Sequence, residues 1–300
     1  MSPPFFSIVI PVYNRVSLLC ERISLILKQT YSDFEIVVID DGSKEEIAPV
    51  LRKQFGDENK IVCLRQENKE RGAARNNGFK AAKGKYVIFF DSDDLMHANH
   101  LEVLAKGIIE NNEPYFIATQ FDFVDDNGRH FSSDIQSLAG GFHDYNIFLS
   151  GNPLACNVCV RKDNPELILF EEDRSYAIKE DWMFLIANTK QHPLYLIPEV
   201  TISMFDHPER SMRSNNSVII ERTHKAVTWI ENRLSLSNSE KQALRAHENY
   251  FCGIHWYLES NRVNACKSAL KAIRYGGLQF KYIALFLKSL AGRNLISRIK

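Results

Sequence analysis

Acidic residues run out before the end of this 300-residue chain: no residue after Glu259 is Asp or Glu. Over the whole length 37 Lys and Arg balance 37 Asp and Glu, so the formal net charge is zero. A chain without a net field has no general attraction for nucleic acid, and no such partner is expected. Six cysteines are too few for a disulfide scaffold at this length. Cys156-Asn-Val-Cys159 has C-x-x-C spacing, but no second pair completes a zinc site, so both cysteines read as strand residues. Only Met-Ser-Pro-Pro precedes the first apolar run, so no signal peptide is expected. No apolar run reaches the ~20 residues of a spanning helix. These absences lead to the expectation of a cytoplasmic protein.

Two nucleotide signatures are also missing. No G-x-G-x-x-G follows the first apolar run, which argues against a dinucleotide oxidoreductase. The segment Gly78-Phe-Lys-Ala-Ala-Lys-Gly84-Lys85-Tyr86 looks like a P-loop but has Tyr86 where Ser or Thr is needed, and it leads from helix into strand. It reads as a helix stop, with Gly84 at the C-cap.

What is present alternates. Apolar strands are expected at Phe5–Val12, Phe34–Ile39, Ile61–Leu64, Tyr86–Phe90 and Tyr115–Thr119. Helical stripes lie between them, one with Val16, Leu19, Ile23, Ile26 and Leu27, another with Ile47, Val50, Leu51 and Phe55, and a third with Leu101, Leu104, Ile108 and Ile109. Strands this uniformly apolar are covered on both faces, which predicts an α/β fold with a Rossmann-like, mostly parallel sheet. Ligands then bind beyond the carboxyl ends of the strands. Those ends carry Pro11-Val-Tyr13-Asn14, Asp40-Asp41-Gly42-Ser43, Arg65–Arg71 and Asp91-Ser92-Asp93-Asp94.

The last block holds three carboxylates within four positions at the end of an apolar strand. Ionised acids cannot enter a core unpaired, so they emerge at the rim. Hard oxygen ligands clustered in this way suit Mg²⁺ or Mn²⁺ between protein carboxylates and a phosphorylated ligand, while a bland alternative is an acidic turn capping the next helix.

Pro11-x-Tyr13-Asn14, Ile39-Asp-Asp41-Gly-Ser43, Asn68 followed by Gly72-Ala-Ala-Arg75-Asn76-x-Gly78, and Phe90-Asp91-Ser92-Asp93-Asp94 occur in this order. Together they resemble the family 2 inverting glycosyltransferases of GT-A fold, over about residues 5–210. The resemblance implies a donor-binding set. Asp41 would accept from uracil, with Pro11 and Tyr13 flanking the base. Asn68 and Arg75 would line the nucleotide and diphosphate, Asp91 would touch ribose, and Ser92 falls in the same block. Asp93 would hold the Mn²⁺ or Mg²⁺ on the diphosphate, and Asp94 would orient Asp93 or pair with Arg75. Asn76 and Gly78 read as helix and packing residues. In Lys179-Glu180-Asp181-Trp182, Asp181 aligns with the family's general base. Glu180 is the alternative base, and Trp182 an acceptor wall or simply core. Acids opening a helix also complement its dipole without any catalysis. His207, Arg210 and Arg213 fall where relatives have a loop over the diphosphate.

The expected organisation is a nucleotide-sugar-binding and catalytic domain over residues 1–214 and a helical region over 215–300. The irregular stretch 123–176 would shape the acceptor pocket, with Asn152, Pro153 and Asn157 near it. Residues 260–300 hold nine Lys and Arg interleaved with Leu278, Phe280, Tyr282, Ile283, Leu285 and Leu290. Such a basic amphipathic tail reads as a peripheral contact with the inner face of the plasma membrane, as a partner helix, including one in a homo-oligomer, or as helices packed on the catalytic domain. The expected reaction is inverting transfer from a UDP-sugar to a saccharide or lipid-linked saccharide. A sugar-nucleotide nucleotidyltransferase would need a glycine-rich basic loop where this chain reads Val12-Tyr-Asn-Arg-Val16. A non-catalytic nucleotide-binding protein would not need the acids at 91, 93 and 181.

Overall fold

A computed structural model describes residues 3–206 and 215–292. His207, Arg210 and Arg213 lie outside the described residues. The chain divides into two compact units. The first holds the chain up to Asp144, Pro153–Arg174 and the chain from Asn188 through the last strand; the second holds Tyr145–Asn152, Ser175–Ala187 and the C-terminal helices. The second unit thus recruits two segments from well upstream of residue 215.

In the first unit, strands and helices alternate as β1 (Phe6–Val12), α1 (Val16–Ile26), β2 (Phe34–Asp40), α2 (Ile47–Phe55), β3 (Ile61–Arg65), α3 (Glu70–Ala81), β4 (Tyr86–Phe89), β5 (Leu95–Met96), α4 (His100–Glu110) and β6 (Phe116–Val124). Three short strands follow, β7 (His130–Ser132), β8 (Gly141–His143) and β9 (Val158–Arg161). After helix α5 (Glu180–Thr189) comes the long strand β10 (Leu194–Phe205). Among the described residues these strands form one sheet, with the order β3-β2-β1-β4-β9-β6-β10-β5 and with β7 on β6 and β8 on β10. Strands β1 to β4 run parallel, as do β6 and β10. Strand β9 sits antiparallel between β4 and β6. It lies within the stretch expected to be irregular, where only Cys156 and Cys159 are read as strand residues, and its four residues are too few to give a longer pattern. Cys159 stands in β9 and Cys156 just before it; both are buried free thiols.

The parallel strands are apolar on both faces, and all seven residues of β2 are buried. One of these is Asp40, whose carboxylate accepts from Arg65 at 2.7 Å and from the Ser43 N–H at 2.8 Å. Pairing is what lets an acid end a buried strand. Helix α4 buries Leu101, Leu104 and Ile108. Ile109, expected on the same face, is 70% exposed. It lies 100° around the helix from Ile108 and turns to solvent.

Helix α3 lies close on β1 and β2. A Cβ placed on Gly78 would come within 2.2 Å of Val9 Cγ1 and 3.3 Å of Ile39 Cγ1. Gly84 is not the helix C-cap: Ala82 is, its N–H returning to the Gly78 carbonyl at 2.8 Å. Gly84 instead stands where the chain passes the β1 backbone, since a Cβ there would lie 2.6 Å from the Ser7 nitrogen.

The second unit contains α6 (Asn216–Arg233), α7 (Asn238–Leu258), α8 (Arg262–Gly276) and α9 (Phe280–Ala291). Helix α7 opens with a capping box of Ser237 and Glu240. Ala246 of α7, Ala272 of α8 and Tyr282 of α9 share one buried cluster. Helix α9 buries Tyr282, Leu285 and Ser289, while Phe280, Leu287 and Leu290 face outward. No helix among the described residues is long and apolar enough to cross a membrane.

Gly78→Ala tests the α3–β1 contact. Helix propensity alone would gain about 1 kcal/mol, but overpacking against a fully buried strand costs ~1–3 kcal/mol. A lowered midpoint in chemical denaturation is expected.

Candidate active site

The carboxyl ends of β1 and β2 build the first part of the site. The Asp41 N–H donates to the Val12 carbonyl at 2.9 Å, which joins the two strand ends. Beyond them Gly42 turns the chain at φ 78°, with its Cα side so close to Asn68 that a Cβ would meet the Asn68 nitrogen at 2.8 Å. Only glycine suits both conditions. The Asn68 amide donates to the Asp41 carbonyl at 3.0 Å. The Asp41 carboxylate, nearly buried, receives Gln66 Nε2 at 2.7 Å and the Lys69 N–H at 2.9 Å, both on Oδ1. Pro11 lies one residue before the end of β1 and is partly exposed. Tyr13 is 48% exposed, so its ring lies at the rim and not in the core. Asn14, at φ 57°, is locked between the Ser43 hydroxyl at 2.9 Å and the Lys44 N–H at 2.8 Å. Pro11, Tyr13, Asp41 and Asn68 are therefore neighbours through backbone and side-chain bonds.

The acidic block leaves β4. Arg75, from α3, is 1% exposed and donates to Asp91 Oδ1 at 2.7 Å, while its guanidinium lies 5.4 Å from the Phe170 ring centre. Burial acts to raise the Asp91 pKa, but Arg75, Arg71 and Arg15 outweigh it and hold the carboxyl below its usual 3.8. Ser92 is buried in the turn. Asp93, with a side chain 20% exposed, is bound by Arg15 from the loop after β1. Asp94 accepts from the Phe205 N–H at 3.3 Å, tying the turn to the end of β10. Arg15 and Gln66 were not singled out in the sequence. Arg15 directly follows the Pro11–Asn14 block and Gln66 lies within Arg65–Arg71, and position after a strand end was their only signal.

Asn76 is a clamp within the fold: its amide donates to the Phe170 carbonyl and to Glu172 at 2.8 Å each, and accepts from the Phe170 N–H at 3.0 Å. Asn157 is likewise buried, donating to the Thr119 carbonyl at 2.8 Å.

Asp181 belongs to the second unit. It stands in the first turn of α5, half-buried, with Oδ1 accepting its neighbour's N–H at 2.7 Å. Ile178 precedes it at φ 70°, a strained conformation for a β-branched residue. Trp182 is core: it is 2% exposed and its indole donates to the Phe148 carbonyl at 2.8 Å. Glu180 is also 2% exposed. Lys179 is buried with its ammonium 3.9 Å from the Phe251 ring centre. Burial pulls the Lys179 pKa down to about 8, with Asp181 pulling the other way.

No three His, Cys, Asp or Glu side chains among the described residues converge as a metal cage. A Mg²⁺ or Mn²⁺ ion usually takes one or two carboxylates and completes its shell with phosphate oxygens and water. Asp93, a carboxylate at the rim and partly exposed, fits such a shared site.

The fold is that of GT-A enzymes. It matches the crystal structure of S. aureus TarS 1-349 with TM-score 0.68 over 100% of this chain and 92% of that one, at 17% identity. The same protein solved in complex with UDP-GlcNAc matches with TM-score 0.66, over 97% and 88% of the two chains, at 19% identity. In sequence, the profile of Glycosyl transferase family 2 matches residues 7–160, and the chain belongs to that family. An uncharacterized glycosyltransferase of Rickettsia bellii is 37% identical over 47% of this chain and 20% of its own length. Glycosyltransferase GlyG of Streptococcus pneumoniae is 34% identical over 42% of each. The chain thus spans only 20–23% of the length of three Rickettsia relatives it matches.

The Lys179 environment predicts a pH effect. Between pH 8 and 10.5 the unfolded chain keeps a proton that the folded chain has lost, so stability rises with pH across that window. The gain is roughly 2 kcal/mol by pH 10. Thermal unfolding of the native chain and Lys179→Met at pH 7.5 and 10 checks this. The native melting temperature should gain more than that of the variant.

Proposed function

We propose that the chain is an inverting glycosyltransferase that moves a sugar from a UDP-sugar to a saccharide or lipid-linked saccharide. The observation that carries this reading is the carboxylate of Asp41, whose backbone N–H is bonded to the Val12 carbonyl, one residue before the exposed Tyr13. Oδ1 is committed to Gln66 and Lys69, and Oδ2 can take the N3–H of uracil. Cytosine has an acceptor at that position and would be repelled. Stacking of the base on Tyr13 adds ~1–3 kcal/mol. Asp91, ionised by its arginine neighbours, accepts from a ribose hydroxyl, and Asn68 lines the nucleoside. The UDP-GlcNAc complex of TarS makes a UDP-linked amino sugar the first donor to try.

In the reaction, an acceptor hydroxyl attacks the anomeric carbon from the face opposite the diphosphate. A new carbon–oxygen bond forms as the bond to the diphosphate breaks, and Asp181 takes the hydroxyl proton. UDP leaves. Asp93 would hold a Mn²⁺ or Mg²⁺, which would supply neutralisation of the charge growing on the diphosphate. A second reading rests on the Arg15–Asp93 ion pair: Arg15 itself neutralises the leaving group, and transfer proceeds without a divalent ion. Retained transfer in EDTA would select it.

The tail supports a peripheral contact with an anionic membrane at the cytoplasmic face. Leu278 and Phe280, at the α8–α9 turn, are 81% and 87% exposed. Arg274, Lys281 and Lys288 lie close by in a segment with no acid. Sedimentation with vesicles containing anionic lipid should fall several-fold in a Leu278→Asp, Phe280→Asp double variant, and a change in oligomeric state without vesicle binding would favour a protein partner.

Two substitutions test the chemistry. Asp181→Asn should lower transfer by about 10²–10⁴-fold while UDP binds as before in calorimetry. Asp93→Ala should abolish the strengthening of UDP binding by Mn²⁺. Full transfer by Asp181→Asn would remove Asp181 as the base.

A further inference from the structure

Within the second unit, one face of α6 and Tyr176 line an open, solvent-facing cavity of about 670 Å³. Its composition is unlike the buried side of the helix. The buried side of α6 is Ile219, Ile220, Ala226, Val227 and Ile230. The cavity side offers the rings of Trp229 and Tyr176, the cations Lys225 and Arg233, and the uncharged polar groups of Thr228 and Asn232. Among the described residues no acidic side chain lines it. Residues 225, 228, 229, 232 and 233 recur at helical spacing, so one face of one helix builds the whole array. Arg233 lies over the Trp229 ring at 5.3 Å, which holds a guanidinium at the edge of the aromatic floor. Lys225 also pairs with Glu221 at 2.8 Å, and His224, at the cavity wall, pairs with Glu248 at 2.7 Å. Arg233 is therefore the principal cation for a ligand.

We propose that this cavity is an acceptor subsite for a saccharide bearing an anionic group, a carboxylate or phosphate. Rigid aromatic rings give the apolar C–H face of a pyranose a large contact at small entropic cost. Thr228 and Asn232 can exchange hydrogen bonds with ring hydroxyls. Arg233 matches the planar, two-oxygen geometry of a carboxylate or phosphate. The cavity is tied to the proposed base through backbone. The Lys179 N–H donates to the Tyr176 carbonyl at 2.9 Å, and Met183 N–H to the Lys179 carbonyl at 3.0 Å, so Tyr176 leads into the turn that carries Asp181. This inference rests on the glycosyltransferase reading and adds to it the class of acceptor.

Calorimetry on the full chain saturated with UDP tests it, using trigalacturonate and its uncharged counterpart galactotriose as probes. Trigalacturonate should bind at least tenfold more tightly than galactotriose. Trp229→Ala should weaken both at least tenfold, and Arg233→Ala should erase the difference between them. UDP affinity and the far-UV circular dichroism of both variants should stay unchanged, since neither side chain belongs to the donor set. Equal affinity of the native chain for the two probes, binding of neither, or unchanged affinity in Trp229→Ala overturns the proposal. UDP binding with no saccharide binding overturns the subsite alone, whereas failure of UDP to bind overturns the donor reading beneath it.

Discussion

A fully buried arginine governs the first unit. Arg75 is 1% exposed, and an uncompensated guanidinium at that depth would cost several kcal/mol. Asp91 compensates it at 2.7 Å, and Phe170 offers a ring face at 5.4 Å. The pair fixes three pieces of chain against one another: α3, the end of β4 and the segment at 170. Asn76, one residue along α3, clamps the same segment through three hydrogen bonds. Because Asp91 is pinned, the turn that follows it is pinned as well. Asp93 and Asp94 then depart in set directions, one to Arg15 and the other to the end of β10.

Adjacent acids on β2 divide their work by the same logic. Asp40 is sealed by Arg65 and the Ser43 N–H, and serves the turn. Asp41 has its carboxylate steadied on one oxygen only by the bonds from Gln66 and Lys69. A rigid carboxylate with one oxygen committed is a pre-organised acceptor, and ligand binding then has little side-chain entropy left to remove. The close approach of Gly42 to Asn68 keeps the two loops in contact. Arg15 and Arg71, both partly exposed, add positive charge near Asp91.

Strands β1, β2, β3, β4 and β6 were legible as apolar runs bounded by turn residues, and α1, α2 and α4 as helical stripes. The rim was legible too, since ionised groups at the end of an apolar run can only emerge there. Strand β9 was legible only in part: Cys159 read as a strand residue, but the place of the strand between β4 and β6 depends on long-range pairing. Ile109 was assigned to a buried face by hydrophobicity, while its angle around the helix decided otherwise. Gly84 looked like a helix stop, yet its reason is the backbone of β1, distant in sequence. Arg15 was passed over because an arginine after a strand end has no pattern of its own, and only the fold brings it to Asp93. The role of Trp182 could not be read from its neighbours, because the Phe148 carbonyl that fixes its indole lies 34 residues away.

In the proposed function the β1, β2 and β4 ends form a uridine-diphosphate site, with Asp41 on the base and Asp93 on the cation. A crystal structure of the chain with UDP and Mn²⁺, with anomalous data collected at the manganese edge, tests this most directly. Uracil N3–H on Asp41, the base against Tyr13 and the manganese peak at Asp93 are the expected result. Uracil bound away from Asp41, or a manganese peak remote from Asp93, would contradict it.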